Sequence, residues 1–197
     1  MKKSLLAFSI LSVVSASSMA SSVDYKFMAG ADTKGKAALA AEIIAYDVIL
    51  GVQGNFATSE SEEYSVSAGA EWEKGGYTKK NEQYSIYTGY RFNSDFGWAE
   101  GISIKGGATI STSKVDAYVR GNDVNGNFSE TASGKDTRVV PFIGLGYGFG
   151  KSGWSANVHH TFAKDSNVEM KDGKSKGQET VRIQHEARTT FMVGYSF

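Results

Sequence analysis

Two adjacent histidines, His159 and His160, are the residues of this chain best suited to proton transfer. They sit in Trp154-Ser155-Ala156-Asn157-Val158-His159-His160-Thr161-Phe162, where apolar and polar residues alternate. Alternation sends neighbours to opposite faces of a strand. His159 therefore shares a face with Ser155, Asn157 and Thr161, and His160 with Trp154, Val158 and Phe162. His185 belongs to the polar stretch Lys164–His185 and is expected to be a solvated loop side chain. Three separate histidines lack the spacing of a zinc site. The chain has no Cys, so disulfides and thiolate-bound metals are excluded and no cofactor is expected. The glycines of Gly144-Leu-Gly146-Tyr-Gly148-Phe-Gly150 do not match a phosphate-binding loop, and no helix follows to offer its N-terminus. Their strict alternation points instead to inward positions that leave room for bulky neighbours.

These residues need elements to position them, and the elements are strands. Eight segments alternate apolar and polar residues between stretches of turn chemistry: Val23–Asp32, Ile44–Ala57, Tyr64–Glu73, Tyr84–Phe92, Trp98–Val115, Arg138–Phe149, Trp154–Ala163 and Glu186–Phe197. The connections Thr58–Glu63, Asn93–Gly97 and Gly150–Gly153 are short; Lys74–Gln83, Ala117–Thr137 and Lys164–His185 are long and charged. Around Thr33–Glu42, the run Ala37–Ala41 suits a loop, a helical turn or a strand extension. Short turns at one end and long loops at the other describe an all-β fold: a transmembrane, antiparallel, up-and-down β-barrel of eight strands. Phe56, Tyr64, Tyr90, Phe92, Phe96, Trp98, Phe149, Trp154, Tyr195 and Phe197 fall beside the expected periplasmic turns, as an interfacial girdle would. Trp72, Tyr84 and Phe162 are expected to begin the outer girdle. Pro141 is discordant, because a ladder needs its missing N–H; a bulge or a frayed strand end would accommodate it.

Eight strands enclose an interior just wide enough to be filled by side chains. Lys26, Asp47, Glu71, Arg91, Lys105, His159 and Arg188 have inward parity and are expected to form a lumen polar network. Buried charges of opposite sign must pair, so the expectation is a salt-bridged plug, with a narrow gated small-solute channel as the alternative.

The ends of the chain say where such a barrel goes. Lys2 and Lys3, the apolar run Leu5–Ala16 and Ser18-Met19-Ala20 form a secretory signal peptide, residues 1–20, cut between Ala20 and Ser21. No Cys follows the apolar run to carry a lipid anchor. The barrel then occupies residues 21–197. Without Lys2 and Lys3 there are 19 basic residues against 21 acidic ones, which gives no electrostatic case for nucleic acid. No later segment approaches the ~18 consecutive apolar residues of a membrane helix.

In the last seven residues Phe191, Val193, Tyr195 and Phe197 share one face, and the chain stops on an aromatic. This ending resembles the assembly signal of small outer-membrane barrels. Over its mature length the chain is similar to the OmpA transmembrane domain, OmpX, Ail and the opacity proteins. The resemblance implies the outer membrane of a Gram-negative bacterium. It also implies contact with outer-membrane lipid and lipopolysaccharide, and recognition by the barrel-assembly machinery during biogenesis. No periplasmic domain is expected to follow the barrel. It further implies a surface protein without enzymatic activity, acting in envelope integrity or in adhesion through its long loops, where an extracellular ligand would bind. The alternative is a lipid A-modifying enzyme. The deacylase barrels use a His-x-Ser pattern, but here His159-His160-Thr161-Phe162 stands in its place. Palmitoyltransferase barrels begin with an amphipathic helix, for which Ser21–Tyr25 leaves no room. In the last loop Lys171, Lys174 and Lys176 are suited to lipopolysaccharide phosphates, but Asp165, Glu169 and Asp172 interleave with them.

Overall fold

The computed structural model describes residues 23–68, 71–123, 125–172, 179–185 and 187–197. The signal-peptide cleavage site at Ala20 and Ser21 lies outside them, as do Lys174 and Lys176. Among the described residues ten strands follow one another: β1 (Val23–Asp32), β2 (Ala37–Ala45), β3 (Val48–Ala68), β4 (Glu71–Arg91), β5 (Ile102–Asp123), β6 (Gly126–Gly148), β7 (Trp154–Thr161), β8 (Lys164–Asp172), β9 (Glu179–His185) and β10 (Arg188–Ser196). Eight of them, β1 to β7 and β10, pair in chain order, and β10 returns to β1 to close the ring. Every pairing is antiparallel. The closing register runs from Lys26 opposite Ser196 to Asp32 opposite Thr190. Closure pairs the backbone groups of the wall with one another, as a spanning sheet requires where no water is present.

The alternation of the wall strands sorts their side chains. Phe191 and Val193 are more than half exposed on the outside, while Met192 between them is 3% exposed inside. On β6, outward residues from Val139 to Tyr147 span eight residue steps, roughly 26 Å of strand. Measured along a tilted strand, this is an outward apolar stretch of the kind that faces lipid.

β2 and β3 correct the second expected segment, Ile44–Ala57. The chain turns back at Tyr46 and Asp47, whose φ values of 50° and 66° make a two-residue hairpin of the primed type. The turn has no glycine, and apolar residues continue on both sides of it, so the alternation hid the reversal. The ambiguous run Ala37–Ala41 is strand, part of β2.

A second correction concerns the outer half. β3 and β4 are 21 residues each and stay paired out to Ala68 opposite Glu71. Thr58–Glu63, expected as a periplasmic turn, lies within β3, and Lys74–Gln83, expected as a loop, lies within β4. The expected third segment, Tyr64–Glu73, straddles the hairpin tip. Ala117–Thr137 likewise consists of the upper parts of β5 and β6. These stretches read as loops because both faces of the sheet meet water there, which removes the apolar alternation. The long loops are thus an outward continuation of four wall strands. Phe56 sits at the top of the barrel and Tyr64 above it, away from the periplasmic girdle. Trp72 stands near the outer tip, opposite Ser67 and Asn122, far above the membrane edge.

Above Thr161 the wall breaks at 162–163, and β8 and β9 form a separate hairpin that touches β6 through Ala132 and Ser133. This break accommodates Pro141. Its carbonyl accepts from the Phe162 amide at 3.3 Å, so its donorless nitrogen faces the place where β7 has ended. β6 itself runs on through Pro141 opposite Ala108.

Candidate functional site

Inside the barrel the polar residues fall into two levels. At the lower level Glu42, 1% exposed, receives both Lys105 and Lys26, the latter at 3.2 Å. The Tyr87 hydroxyl donates to the same carboxylate at 3.1 Å. Lys105 also donates to Asn157 Oδ1 at 2.7 Å and lies 3.3 Å from His159 Nε2. His159 Nδ1 faces Gln53 Oε1. An amide oxygen accepts and an ammonium donates, so the network places the proton of His159 on Nδ1. Tyr87 stacks on Phe142 with ring centres 4.8 Å apart, and His159 meets both rings edge-on. Glycines make the space: a Cβ at Gly51 would stand 2.3 Å from the Tyr87 ring, and one at Gly144 would stand 2.7 Å from that of His159.

At the upper level Arg188, 1% exposed, donates to Asp32 at 3.1 Å. The other Asp32 oxygen accepts from the amides of Lys34 and Lys36 and so ties the β1–β2 turn to the interior. Still further out, His185 is fully buried. Its Nδ1 lies 3.0 Å from Ser111 Oγ and its Nε2 lies 3.1 Å from Asp136. It is a clamp between the β8–β9 hairpin and the wall, not a solvated loop residue. Below the lower level opens a vestibule of about 810 Å³ at the turn end, where Arg91 bridges Asp24 at 2.8 Å and Asp47 at 3.3 Å.

Of the seven residues expected in the lumen network, Lys26, Lys105 and His159 therefore meet at one level and Arg188 stands at another. Asp47 and Arg91 pair at the mouth. Glu71 is exposed beside the outer hairpin tip and does not enter the lumen. It has the lumen-side parity expected of it but stands beyond the closed barrel, because the segment Tyr64–Glu73 crosses a chain reversal in the outer sheet. Glu42, the carboxylate that organises the lower level, was hidden in the Ala-rich run; the alternation Ala38, Ala40, Glu42, Ile44 was its only signal. His160 faces outward, with Nδ1 2.9 Å from Thr189 Oγ1 and its ring against Phe162. Phe191, Val193, Tyr195 and Phe197 all face outward. Among the described residues no group of His, Asp and Glu has the arrangement of a metal site.

The upper parts of β3 to β6 form a sheet whose two faces carry different charge. The registers place Glu60, Glu62, Glu71, Glu73, Glu130 and Asp136 on the face continuous with the lumen, together with Lys79 and Arg138. The face continuous with the lipid band carries Lys74, Lys80, Lys114, Arg120 and Lys135 against Glu63, Glu82 and Asp116. Phenols bind carboxylates on both faces: Tyr64 to Glu73 and Tyr118 to Glu63, each at 3.0 Å. These hydrogen bonds to carboxylates are the main cause holding both phenols above their ordinary ionisation range; for Tyr77, the hydrogen bond to Glu62 does the same.

Closed antiparallel wall, outward apolar band and filled polar lumen define a small, eight-stranded, membrane-spanning β-barrel protein. No family model matches the chain, and no curated protein sequence matches it. Among solved structures it is similar to CarO2 of Acinetobacter baumannii, at 14% identity and a TM-score of 0.44 over 90% of this chain and 100% of that one. It is also similar to Ail, the attachment invasion locus protein of Yersinia pestis, in complex with the heparin analogue sucrose octasulfate. There the identity is 12% and the TM-score 0.35, over 89% of this chain and 97% of that one. A major outer membrane protein from Thermus thermophilus aligns at 13% identity and a TM-score of 0.39, over 91% of this chain and 100% of that one.

Proposed function

We propose that this protein is a surface barrel without enzymatic activity that binds an extended partner segment along the outer edge of β3. One observation carries the reading. Residues 58–68 pair with β4 on one side, while β2 ends below them, its last partner being Asn55. Among the described residues nothing pairs with the other edge of these eleven residues, roughly 36 Å of strand, so every second one presents its amide and carbonyl above the membrane. Such an edge is a template for another strand. It carries Glu60, Glu62 and Glu63 and no Lys or Arg. The complementary partner is an extended, basic segment whose cations alternate. The interior supports a scaffold role: both nitrogens of His159 are engaged by Lys105 and Gln53, which leaves neither free to take a proton from a substrate.

The test compares the intact protein in lipid nanodiscs with a variant in which residues 59–80 are replaced by a two-residue Asn-Gly turn. An alternating Lys-Val peptide should bind the intact protein, weaken with salt, and not bind the shortened one. Heat-modifiable gel mobility checks that both barrels are folded. Equal binding by the shortened barrel, or equal binding of a Glu-Val peptide, would sink the proposal.

A further inference from the structure

We infer that Lys80, Lys114 and Lys135 form a phosphate-binding row for an anionic glycolipid of the outer leaflet. The three residues are directly paired across adjacent strands: Lys80 opposite Lys114, and Lys114 opposite Lys135. They therefore stand side by side at the spacing of neighbouring strands, roughly 5 Å apart. Like charges directly opposite one another destabilise a sheet, so the arrangement asks for a compensating anion. Asp116 supplies one, at 2.7 Å from Lys114. Lys80 and Lys135 are exposed, and neither makes an ion pair among the described residues. Glu82 lies on the same face in the next row down, between the lysines and the membrane, with the hydroxyls of Thr112 and Thr137 beside it.

Their height selects the anion. The registers are unbroken between the lipid band and the lysines, so the row lies on the lipid-facing side. Tyr84, Ile110 and Val139 form the uppermost apolar row. Each lysine is four residues beyond it, about 13 Å along the strand and less in height because barrel strands tilt. That is the layer of anionic headgroups above the hydrocarbon. The lysines' aliphatic stems can lie toward the apolar edge while their ammonium groups meet phosphate. The ligand chemistry is thus a lipid carrying more than one phosphate, bound at the barrel's flank. This inference concerns the opposite face of the sheet from most of its acidic groups and does not depend on what pairs with β3.

The full mature chain is reconstituted in phosphatidylcholine nanodiscs containing either bisphosphorylated lipid A or lipid A stripped of its phosphates. Amine-reactive footprinting read by mass spectrometry then reports each lysine. Lys80, Lys114 and Lys135 should be protected in the phosphorylated discs alone, while Lys151 at the turn end labels equally in both. The triple variant K80Q/K114Q/K135Q should lose its preference for phosphorylated lipid A by on the order of tenfold or more, since each basic residue near an anionic surface contributes about fivefold. The triple Arg variant should keep the preference. Equal labelling of the three lysines in both discs would overturn the inference. So would an undiminished preference in the Gln variant. Protection by inorganic phosphate in plain phosphatidylcholine discs would assign the row to free phosphate and overturn the lipid assignment.

Discussion

The ring of Tyr64 on β3 lies across the backbone of Gly75, its paired residue on β4; a Cβ built on the glycine would fall 2.4 Å from the ring. From the other face Tyr118 covers Gly76 in the same way, with a built Cβ 3.2 Å from its ring. Glycine in a strand lacks a side chain to pack, and here two tyrosines from neighbouring strands fill both vacancies. The Gly75→Val variant should push Tyr64 off the sheet and break its bond to Glu73. The expected cost is about 1 kcal/mol, confined to the outer hairpin. Amide exchange should accelerate near 64–76 and stay unchanged in β1 and β10. A barrel-wide acceleration would show that the outer sheet is not an independent unit.

The phenol–carboxylate pairs give the outer sheet a pH dependence. The folded state raises the pKa of Tyr64, Tyr77 and Tyr118 above their ordinary 10.0, chiefly by hydrogen bonds to Glu73, Glu62 and Glu63. A raised value means that the folded sheet holds the proton more tightly than the unfolded chain does. The contribution is complete below pH 10 and is lost as the pH climbs through the higher folded values. Ultraviolet titration at alkaline pH should show Tyr64, Tyr77 and Tyr118 among the late-ionising tyrosines, and the triple Glu→Gln variant at positions 62, 63 and 73 should bring these three earlier. Identical titration curves would disprove the assignment.

Glu42 joins two lysines and a phenol in the lower lumen, so Glu42→Gln leaves two buried ammonium groups without their carboxylate. Breaking a buried pair by removing one partner costs about 3–5 kcal/mol. The urea midpoint for loss of the heat-modifiable folded band should fall accordingly. Adding Lys105→Met should recover part of the loss, and no recovery would mean that Lys105 draws its stability from Asn157 and His159 instead.

His185 holds the β8–β9 hairpin through Ser111 and Asp136. His185→Ala should increase protease cleavage within 164–185 while the barrel's urea midpoint moves by less than about 1 kcal/mol equivalent. An unchanged cleavage rate would remove the clamp role.

What the sequence made legible follows from solvent. Where one face meets lipid and the other the lumen, alternation was plain: Phe191 to Ser196, Trp154 to Thr161 and Tyr84 to Arg91 all lie in wall strands with the expected facing. Where both faces meet water, the pattern vanished. Glu60 to Glu63 and Lys74 to Glu82 are as much strand as the rest, but no difference of environment remained to write itself into residue choice. The Tyr46–Asp47 reversal was hidden for another reason, since Asp tolerates a left-handed backbone without the glycine that usually marks it. Glu42 was missed because a lone carboxylate among alanines looks like a loop residue until its two lysines are seen across the lumen.

Between Asn55 and Thr58 the β3 strand advances three residues while β4 advances two, from Gln83 to Asn81. That one surplus residue sets the phase of everything above it. Were the bulge straightened with every residue kept, odd-numbered residues of β3 would take the lumen side, Tyr64 would leave Gly75, and Glu60 and Glu62 would cross to the cationic side. Change in this region therefore depends on place: a single deletion at Phe56 or Ala57 would absorb the surplus and leave every pair above it intact, whereas a single deletion higher in β3 would turn over the residues beyond it unless a new bulge formed.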